Sequence, residues 1–299
     1  MMLCKDSLLE LAAGPCVRVH RLFHKMPVFR PQGILRILIL HDIGESNMDG
    51  FERLLGYLMG EYDIVSPAQA QEILANKYPL SRRDSCLLTL DDGFSSNYLI
   101  AQELLGRYGI KALFFICPGL MDTPALGQRD AIIRHLFNNN VEAFFLEGGQ
   151  SLMSWQQVLS LARMGHTIGS HTLYHARLSL LKPKDQRVEI MESADRLEDK
   201  LGVPVRWFAY PFGDINSIDA SAMELIGQRY NFCCSGVRGP NSFKTHPLGL
   251  LREPVNLRRS FECQKLEAGG GLDFLYRLRS KRLRDVMPRR SLTEIGSRS

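Results

Sequence analysis

The stretch "LLTLDDGFSSNY", residues 87–98, decides how this chain is interpreted. Residues that favour a buried strand run directly into two adjacent carboxylates, Asp91 and Asp92, and then into a glycine. Two neighbouring negative charges are unfavourable unless a positive group lies close to both of them. Either the pair caps the helix that follows, or it holds a cation.

Strand-like apolar runs recur along the chain and alternate with helix-like segments. One helix is predicted to begin at an N-cap, Ser154, and a long amphipathic helix to run from about Lys184 to Gly202. Alternation of strands and helices favours βα units and a mostly parallel sheet. The number of repeats favours a parallel barrel over an open sheet, within an α/β fold. The strand-like runs are "ILRILIL" (34–40), "CLLTL" (86–90), "KALFFI" (111–116), "HTIGS" (166–170), "VRWFAY" (205–210) and "NFCCS" (231–235).

Four of these runs end on residues that are capable of chemistry. In a parallel β/α barrel the residues just past the strand C-termini converge on one face, and that face carries the active site. The sequence therefore predicts one pocket built from four distant segments. Its candidate residues are His41, Asp42, Asp91, Asp92, His171, His175, Pro211, Phe212 and Gly213.

The two histidines of "SHTLYH", His171 and His175, are spaced i, i+4. On a helical turn both imidazoles point the same way and can share a metal ion. Two histidines plus one carboxylate are a common catalytic ligand set that leaves a position open for water. One of Asp91 and Asp92 can bind the cation, and the other can stay beside it as a base. The charge of the metal offsets the repulsion between the carboxylates.

Each motif also has an ordinary structural explanation when it is taken alone. An aspartate pair after a strand often caps a helix, and a pair of histidines is often a structural contact. "PFG" alone is a turn, and His41 alone could be a core histidine bonded to the backbone. Their joint occurrence at four strand ends favours a metal site.

Three of these motifs together resemble the NodB-homology polysaccharide deacetylases, carbohydrate esterase family 4. They are "TLDDG" (89–93), "SHTLYH" (170–175) and "FAYPFGD" (208–214), and the resemblance covers about residues 33–258. It implies a deformed parallel (β/α) barrel of the NodB type. It also implies a metal-dependent hydrolase that removes N-acetyl groups from a sugar or polysaccharide and releases acetate.

The resemblance also implies roles for individual residues. Asp91 takes the position of the catalytic base, and Asp92, His171 and His175 take those of the metal ligands, with Zn²⁺ the expected ion. The third motif is expected to line the substrate groove and to offer a backbone N–H to the oxyanion. Its candidate residues are Pro211, Phe212 and Gly213.

The chain departs from the family pattern in its third motif and in its general acid. Ala209 stands where the family usually has arginine, and Phe212 replaces a common tyrosine. Arg252 is our candidate for the missing positive charge that orients the base. The segment "ILILHDIGES" resembles the early-histidine branch that includes poly-N-acetylglucosamine deacetylases, which makes His41 the candidate acid and His246 the alternative.

Two other functions remain open at this point. One is a related metal-dependent amidase or esterase that acts on a lipid-linked sugar or a small metabolite. The other is a non-catalytic carbohydrate-binding barrel, although all four metal and base positions are present in this chain.

The composition is that of an ordinary globular protein, with 299 residues, 45% hydrophobic and 23% charged. We predict a lead-in at 1–32, a deacetylase barrel at 33–265 and a basic extension at 266–299, with the glycines of "EAGGGLDF" as a hinge. The segment 277–290 holds seven basic residues and one acid, although the whole chain carries only +5. This charge has two explanations, a solvated helix end or a peripheral contact with an anionic membrane. Nucleic acid is not expected, because no aromatic residues are interleaved with the basic ones to stack on bases.

The seven cysteines show no CxxC pair, which predicts free and mostly buried thiols. The N-terminus does not match a secretory signal segment, because its apolar part is short and interrupted by Glu10. Both observations predict a cytoplasmic protein. The basic segment adds membrane association as an alternative within that compartment.

Overall fold

The computed structural model describes residues 10, 13–14, 34–77, 83–142, 144 and 151–288, and the account below concerns those residues. Most of the predicted lead-in and the last residues of the basic extension lie outside them. No helix in these ranges is long and apolar enough to cross a bilayer. The free thiols predicted from the sequence are confirmed for five cysteines, all buried, which are Cys86, Cys117, Cys233, Cys234 and Cys263.

The strands of the described residues form one sheet in which all pairings are parallel. The sheet has the order β7-β6-β5-β4-β3-β1-β8, and β2 pairs with the start of β3. A parallel bridge between Cys234 and Leu250 joins β7 to the chain leading into β8, so the sheet curls into a deformed barrel. This confirms the predicted fold class. The strands are β1 Leu35–Leu40, β2 Asp63–Ile64, β3 Ser85–Leu90, β4 Leu113–Ile116, β5 Thr167–Ser170, β6 Trp207–Ala209, β7 Phe232–Cys234 and β8 Glu253–Pro254.

Helices pack on the outside of this sheet. The predicted N-cap Ser154 accepts a hydrogen bond from the N–H of Gln157, and Gly202 ends the long helix in a left-handed conformation (φ 70°). A π-helical segment, Val188–Glu192, joins the two halves of that long helix. The helices are α1 Glu45–Glu61, α2 Pro67–Leu74, α3 Ser95–Ile100, α4 Pro118–Met121, α5 Ala125–Ala131, α6 Trp155–Arg163, α7 Pro183–Arg187, α8 Ser193–Leu201, α9 Ala220–Arg229, α10 Phe261–Ala268 and α11 Arg277–Asp285.

Strand alternation divides the apolar residues between the barrel interior and the helix-covered outside. Leu87, Leu113, Phe115 and Trp207 belong to an interior cluster, whereas their strand neighbours pack in the larger cluster under the helices. Gly169 lies inside as well, because a Cβ there would come within 2.6 Å of the Phe115 ring. The interior register of β3 and β5 therefore continues directly into the residues that follow these strands.

The segment that follows residue 265 packs against the barrel. The predicted boundary at 265/266 falls inside α10, and Asp273 pairs with the buried Arg36 at 3.1 Å. The predicted glycine hinge stays a prediction, but Gly270 (φ 77°) lies directly on the Arg36 guanidinium, where a Cβ would come within 2.1 Å of it. The glycines permit this close approach and fix the turn.

His166 makes the stability of the fold depend on pH. Its Nδ1 accepts a hydrogen bond from the N–H of Ala112, and burial lowers its pKa to about 4. Because the folded state keeps this imidazole neutral, it contributes stability above pH 6.5 that is lost as the pH falls towards about 4. The contribution is about 2 kcal/mol after discounting for solvent near the ring.

We therefore expect His166→Asn to flatten the dependence of the unfolding free energy on pH between pH 7 and pH 5. The asparagine amide oxygen can accept the same bond and does not titrate in this range. Urea unfolding at several pH values measures the effect. Parallel curves for wild type and variant would contradict it.

Candidate metal centre and active site

The two aspartates after β3 do not cap the helix that follows. Helix α3 has Phe94 at its N-cap, and no side chain caps it. The N–H of Asp91 donates to the carbonyl of Leu40, and the chain then reverses at Asp92 (φ 74°) and Gly93 (φ 83°). A positive φ at a residue other than glycine costs free energy, so this turn is held by its surroundings. The helix-cap explanation is therefore excluded.

Asp91 continues the interior register of β3 and meets Arg252. The two side chains form a bidentate ion pair, with both N···O distances at 2.8 Å, and both are almost fully buried. Arg252 also donates to Thr89 Oγ1 and to the carbonyl of Ser235. Burial acts to lower the pKa of Arg252, but the charge of Asp91 outweighs it and raises that pKa. The carboxylate is thereby fixed in orientation.

Asp92 forms no ion pair with Arg252 but faces the histidine pair that follows β5. Its Oδ1 lies 3.4 Å from Nε2 of His171 and 3.3 Å from Nε2 of His175. One ligand atom from each residue lies within 4.8 Å of the others, and all three residues are buried. Both contacts are longer than a charge-assisted hydrogen bond, and Oδ1 has no hydrogen-bond partner of normal geometry among the described residues.

The other ring nitrogens decide what this cluster can hold. Nδ1 of His171 lies 2.7 Å from the carbonyl of Ala209, and Nδ1 of His175 lies 2.8 Å from that of His135. A carbonyl only accepts, so each Nδ1 carries a proton, and the neutral form of each ring has its Nε2 lone pair directed at Asp92. Three acceptor atoms therefore converge in a buried space, which favours a cation.

The pKa shifts agree with a site that attracts positive charge. Burial acts to raise the pKa of Asp92, but the imidazoles of His171 and His175 outweigh it and hold that pKa well below its usual range. Burial acts to lower the pKa of His171, but its contact with Asp92 and the charges of both aspartates raise it. Two histidines and one carboxylate fit a divalent metal ion.

The histidine pair lies on an irregular turn, and the predicted helical turn is wrong. Thr172 (φ 64°) and His175 (φ 58°) adopt left-handed conformations, which no helix contains. Glu189 stabilises this turn by accepting hydrogen bonds from the N–H groups of Leu173 and Tyr174, both at 2.9 Å. The imidazoles still meet, with ring centroids 5.0 Å apart, because the turn brings them together instead of a helix.

The third motif reaches the same site through its backbone. Phe212 and Gly213 both have φ 64°, and the Phe212 ring lies 4.8 Å from the ring of His175. The guanidinium of Arg177 lies over the Phe212 ring, 4.2 Å from its centroid. Pro211 is buried and is not in the cavity wall, so its predicted contact with substrate is unsupported by its position.

One cavity of about 810 Å³ gathers most of the predicted residues. His41 is exposed within it, whereas His246 lies outside and accepts a hydrogen bond from the N–H of Leu248. Leu136 and Phe137, from the irregular segment between β4 and β5, line it as well. The predicted site residues in its wall are His41, Asp42, Asp91, Asp92, His171, His175, Phe212, Gly213 and Arg252.

A family model described as polysaccharide deacetylase matches residues 81–230, half of the chain, and includes both the aspartates and the histidines. This chain belongs to the polysaccharide deacetylase family. The resemblance to NodB-homology enzymes of carbohydrate esterase family 4 is thereby confirmed. The polysaccharide and peptidoglycan deacetylases among its relatives are hydrolases that act on carbon–nitrogen bonds other than peptide bonds.

Two curated relatives carry names of the same kind. YxkH of Bacillus subtilis (strain 168), named as a polysaccharide deacetylase, is 26% identical over 199 residues, 64% of this chain and 62% of its own length. The peptidoglycan-N-acetylglucosamine deacetylase of Bacillus cereus is 27% identical over 95 residues, 31% of this chain and 34% of its own length. The chain thus spans less than two thirds of the length of these relatives.

Two solved structures share the fold over most of the chain. The Streptococcus pyogenes deacetylase PplD, in complex with acetate, is 19% identical and covers 81% of this chain and 96% of its own, with a TM-score of 0.60. IcaB from Ammonifex degensii is 22% identical and covers 80% and 97%, also with a TM-score of 0.60. At these identities the likeness establishes the barrel of this deacetylase chain.

Several supporting groups of the site could not be found from the sequence. Glu189 lies on a long polar helix, where glutamate is common, and nothing in the pattern connects it to the histidine turn. The carbonyls of His135 and Ala209 act through backbone position, which residue types do not reveal. Thr89 was visible only as a strand residue, although its interior register places it beside Arg252.

Proposed function

We propose that this deacetylase chain is a metal-dependent hydrolase that removes N-acetyl groups from a sugar or polysaccharide and releases acetate. One observation carries the proposal. A buried cluster that fits a divalent ion, Asp92 with His171 and His175, lies in one cavity with Asp91, a carboxylate fixed by Arg252. The pairing of a metal site with an adjacent oriented base is the requirement for hydrolysis by an activated water.

The ligand set favours Zn²⁺, which binds histidine nitrogen and carboxylate oxygen in catalytic sites that keep one position open. When bound, such an ion polarises a carbonyl and lowers the pKa of a water molecule towards ~7. Asp92 Oδ1 and the Nε2 atoms of His171 and His175 are the atoms that would hold it.

Asp91 is the general base in this proposal. It accepts the proton of the attacking water, and its bidentate pair with Arg252 keeps one orientation of the carboxylate. The backbone N–H at Phe212 or Gly213 donates to the oxyanion, a contact typically worth ~3–4 kcal/mol. The left-handed conformation of both residues sets the direction of these N–H groups.

Two other functions make different predictions. A related amidase or esterase would hydrolyse a lipid-linked sugar or a small metabolite but would release no acetate from soluble N-acetyl polymers. A non-catalytic carbohydrate-binding barrel would bind sugars without releasing acetate. The complete ligand set and the ion-paired base favour an enzyme over the second alternative.

The test is acetate release across a panel of N-acetyl sugars and polymers, before and after treatment with a chelator. We expect release from at least one N-acetylated substrate, loss with the chelator and recovery on adding Zn²⁺. Arg163→Gln, on an exposed residue at the far end of the barrel, is the matched control. Release that is insensitive to chelation, or no release from any of the panel, would contradict the proposal.

His41 is expected to donate the proton to the leaving amine. It is the exposed histidine of the cavity, whereas His246 lies outside the cavity wall. His41→Ala should lower kcat by ~10²–10⁴-fold with unchanged metal content, because general-acid catalysis is typically worth that much. His246→Ala should leave kcat unchanged. Parallel kinetics on the two variants decide between them, and the reverse pattern would assign the acid to His246.

A further inference from the structure

The C-terminal segment 273–288 is fixed to the barrel by one side of its helix. Leu283 is 1% exposed in the core, and Met287 packs against Gly249. Asp273 pairs with Arg36, and the ring of Tyr276 lies 5.9 Å from the guanidinium of Arg238. The orientation of the segment relative to the cavity is therefore set by the fold.

The other side of this segment exposes three large apolar side chains. Phe274 is 63% exposed, Leu275 60% and Leu278 76%. Leu278 is three residues after Leu275 and four after Phe274, so the three side chains lie together on one face. Single exposed apolar residues are ordinary, but a group of three on one face marks an interaction surface.

Basic side chains border this apolar group. Arg277, Lys281 and Arg282 are exposed on the adjoining turns, and across 277–285 five basic residues stand against one acid, Asp285. We call the combined surface the docking face. Its members are Phe274, Leu275, Arg277, Leu278, Lys281 and Arg282.

We infer that the docking face binds an anionic membrane surface. Apolar side chains with flanking lysine and arginine are the features that place a helix at the interface of a bilayer. Basic residues are attracted to anionic headgroups, while the apolar ones enter the boundary with the acyl chains. Single-stranded nucleic acid would instead call for a series of aromatic platforms along a basic groove, and this face offers one exposed aromatic ring, Phe274.

The docking face is continuous with the rim of the cavity. Leu275 and Tyr276 line the same cavity as His41 and Asp91. A chain docked through this face therefore holds the cavity mouth at the membrane surface. If the proposed deacetylase function holds, the substrate is an N-acetyl sugar displayed at that surface, such as one attached to a lipid. This last step rests on the proposed function, whereas the docking itself does not.

The first measurement is co-sedimentation of the full chain with vesicles at low and high salt. The vesicles are phosphatidylcholine alone, or phosphatidylcholine mixed with phosphatidylglycerol. We expect binding to the anionic vesicles that weakens as salt screens the charges, and little binding to phosphatidylcholine.

Two pairs of variants assign the binding to the docking face. The double variant Arg277→Gln with Lys281→Gln should weaken partitioning of the protein onto anionic vesicles by about 30-fold. This follows because each basic residue near such a surface contributes ~1 kcal/mol. Phe274→Ser with Leu278→Ser should weaken it by at least ~10-fold through lost apolar burial. Val203→Ser is the control for the apolar pair, and the double variant Arg163→Gln with Arg206→Gln is the control for the basic pair. These exposed residues lie before β5 and β6, at the opposite end of the barrel, and should leave binding unchanged.

The outcomes separate docking from catalysis. No binding at low salt, equal binding to both vesicle types, or docking-face variants that bind like wild type would each overturn the inference. Binding of duplex DNA or formation of a dimer through this face, without vesicle binding, would also overturn it. All these variants should release acetate from a soluble substrate like wild type. Vesicle binding without any acetate release would leave the docking standing and remove only the substrate step.

Discussion

Asp91→Asn is expected to lower kcat by ~10²–10⁴-fold and to leave the metal content unchanged. Asparagine has nearly the same shape as aspartate but cannot take up the proton of the attacking water. Its amide oxygen can still accept a hydrogen bond from Arg252, so the side chain keeps its place. Because Asp91 itself is not among the three residues that fit the ion, the metal cluster stays intact.

The measurement combines steady-state kinetics with elemental analysis of the same preparation. Asp92→Asn is the matched comparison, since it changes the neighbouring carboxylate and should lose both metal and activity. An Asp91→Asn protein with metal and near wild-type turnover would refute the role of Asp91 as the base. Loss of the metal in this variant would instead make Asp91 a ligand.

Arg252→Met is expected to lower the free energy of unfolding by ~3–5 kcal/mol, because it leaves a buried carboxylate without its countercharge. Both members of the pair are almost completely buried, and Arg252 also supports Thr89 and the carbonyl of Ser235. The variant should lose activity as well, since nothing then orients Asp91. Methionine keeps the length and the apolar stem of the side chain.

Urea unfolding of chelator-treated protein measures this loss without a contribution from bound metal. The double variant Arg252→Met with Asp91→Leu should recover most of the stability, because a buried pair replaced by apolar residues costs little. It should not recover activity. A loss below ~1 kcal/mol for Arg252→Met would contradict the prediction, because the pair would then contribute no more to stability than an exposed ion pair does.

The sequence predicted the fold because short and nearly continuous apolar runs alternate with helix-like segments along the chain, which is the pattern of βα units. The interior register of Leu87 and Thr89 continues to Asp91, and that of Gly169 continues to His171, so both site segments are pointed inward by periodicity alone. The strand ends then place these residues on one face. The curled parallel sheet follows from the same repeats.

The local geometry of the site could not be predicted, because it depends on backbone that is held by distant groups. The i, i+4 spacing of the histidines suited a helix, yet the turn is irregular and is stabilised by Glu189 from a helix further along the chain. The glycines near Gly270 suited a hinge, yet they fit against Arg36, more than two hundred residues away. Such contacts join residues whose types are unremarkable in their own segments. The roles of the individual site residues stay predictions until variants are measured.

The metal content of the purified protein is the most direct test of the central claim, that Asp92, His171 and His175 hold a divalent ion. Elemental analysis should find about one such ion per chain in wild type, and almost none in His171→Ala with His175→Ala. His246→Ala, which changes a histidine outside the cavity, should keep the wild-type value. A wild-type protein that takes up no ion when Zn²⁺ is supplied, or a double variant with full occupancy, would contradict the account.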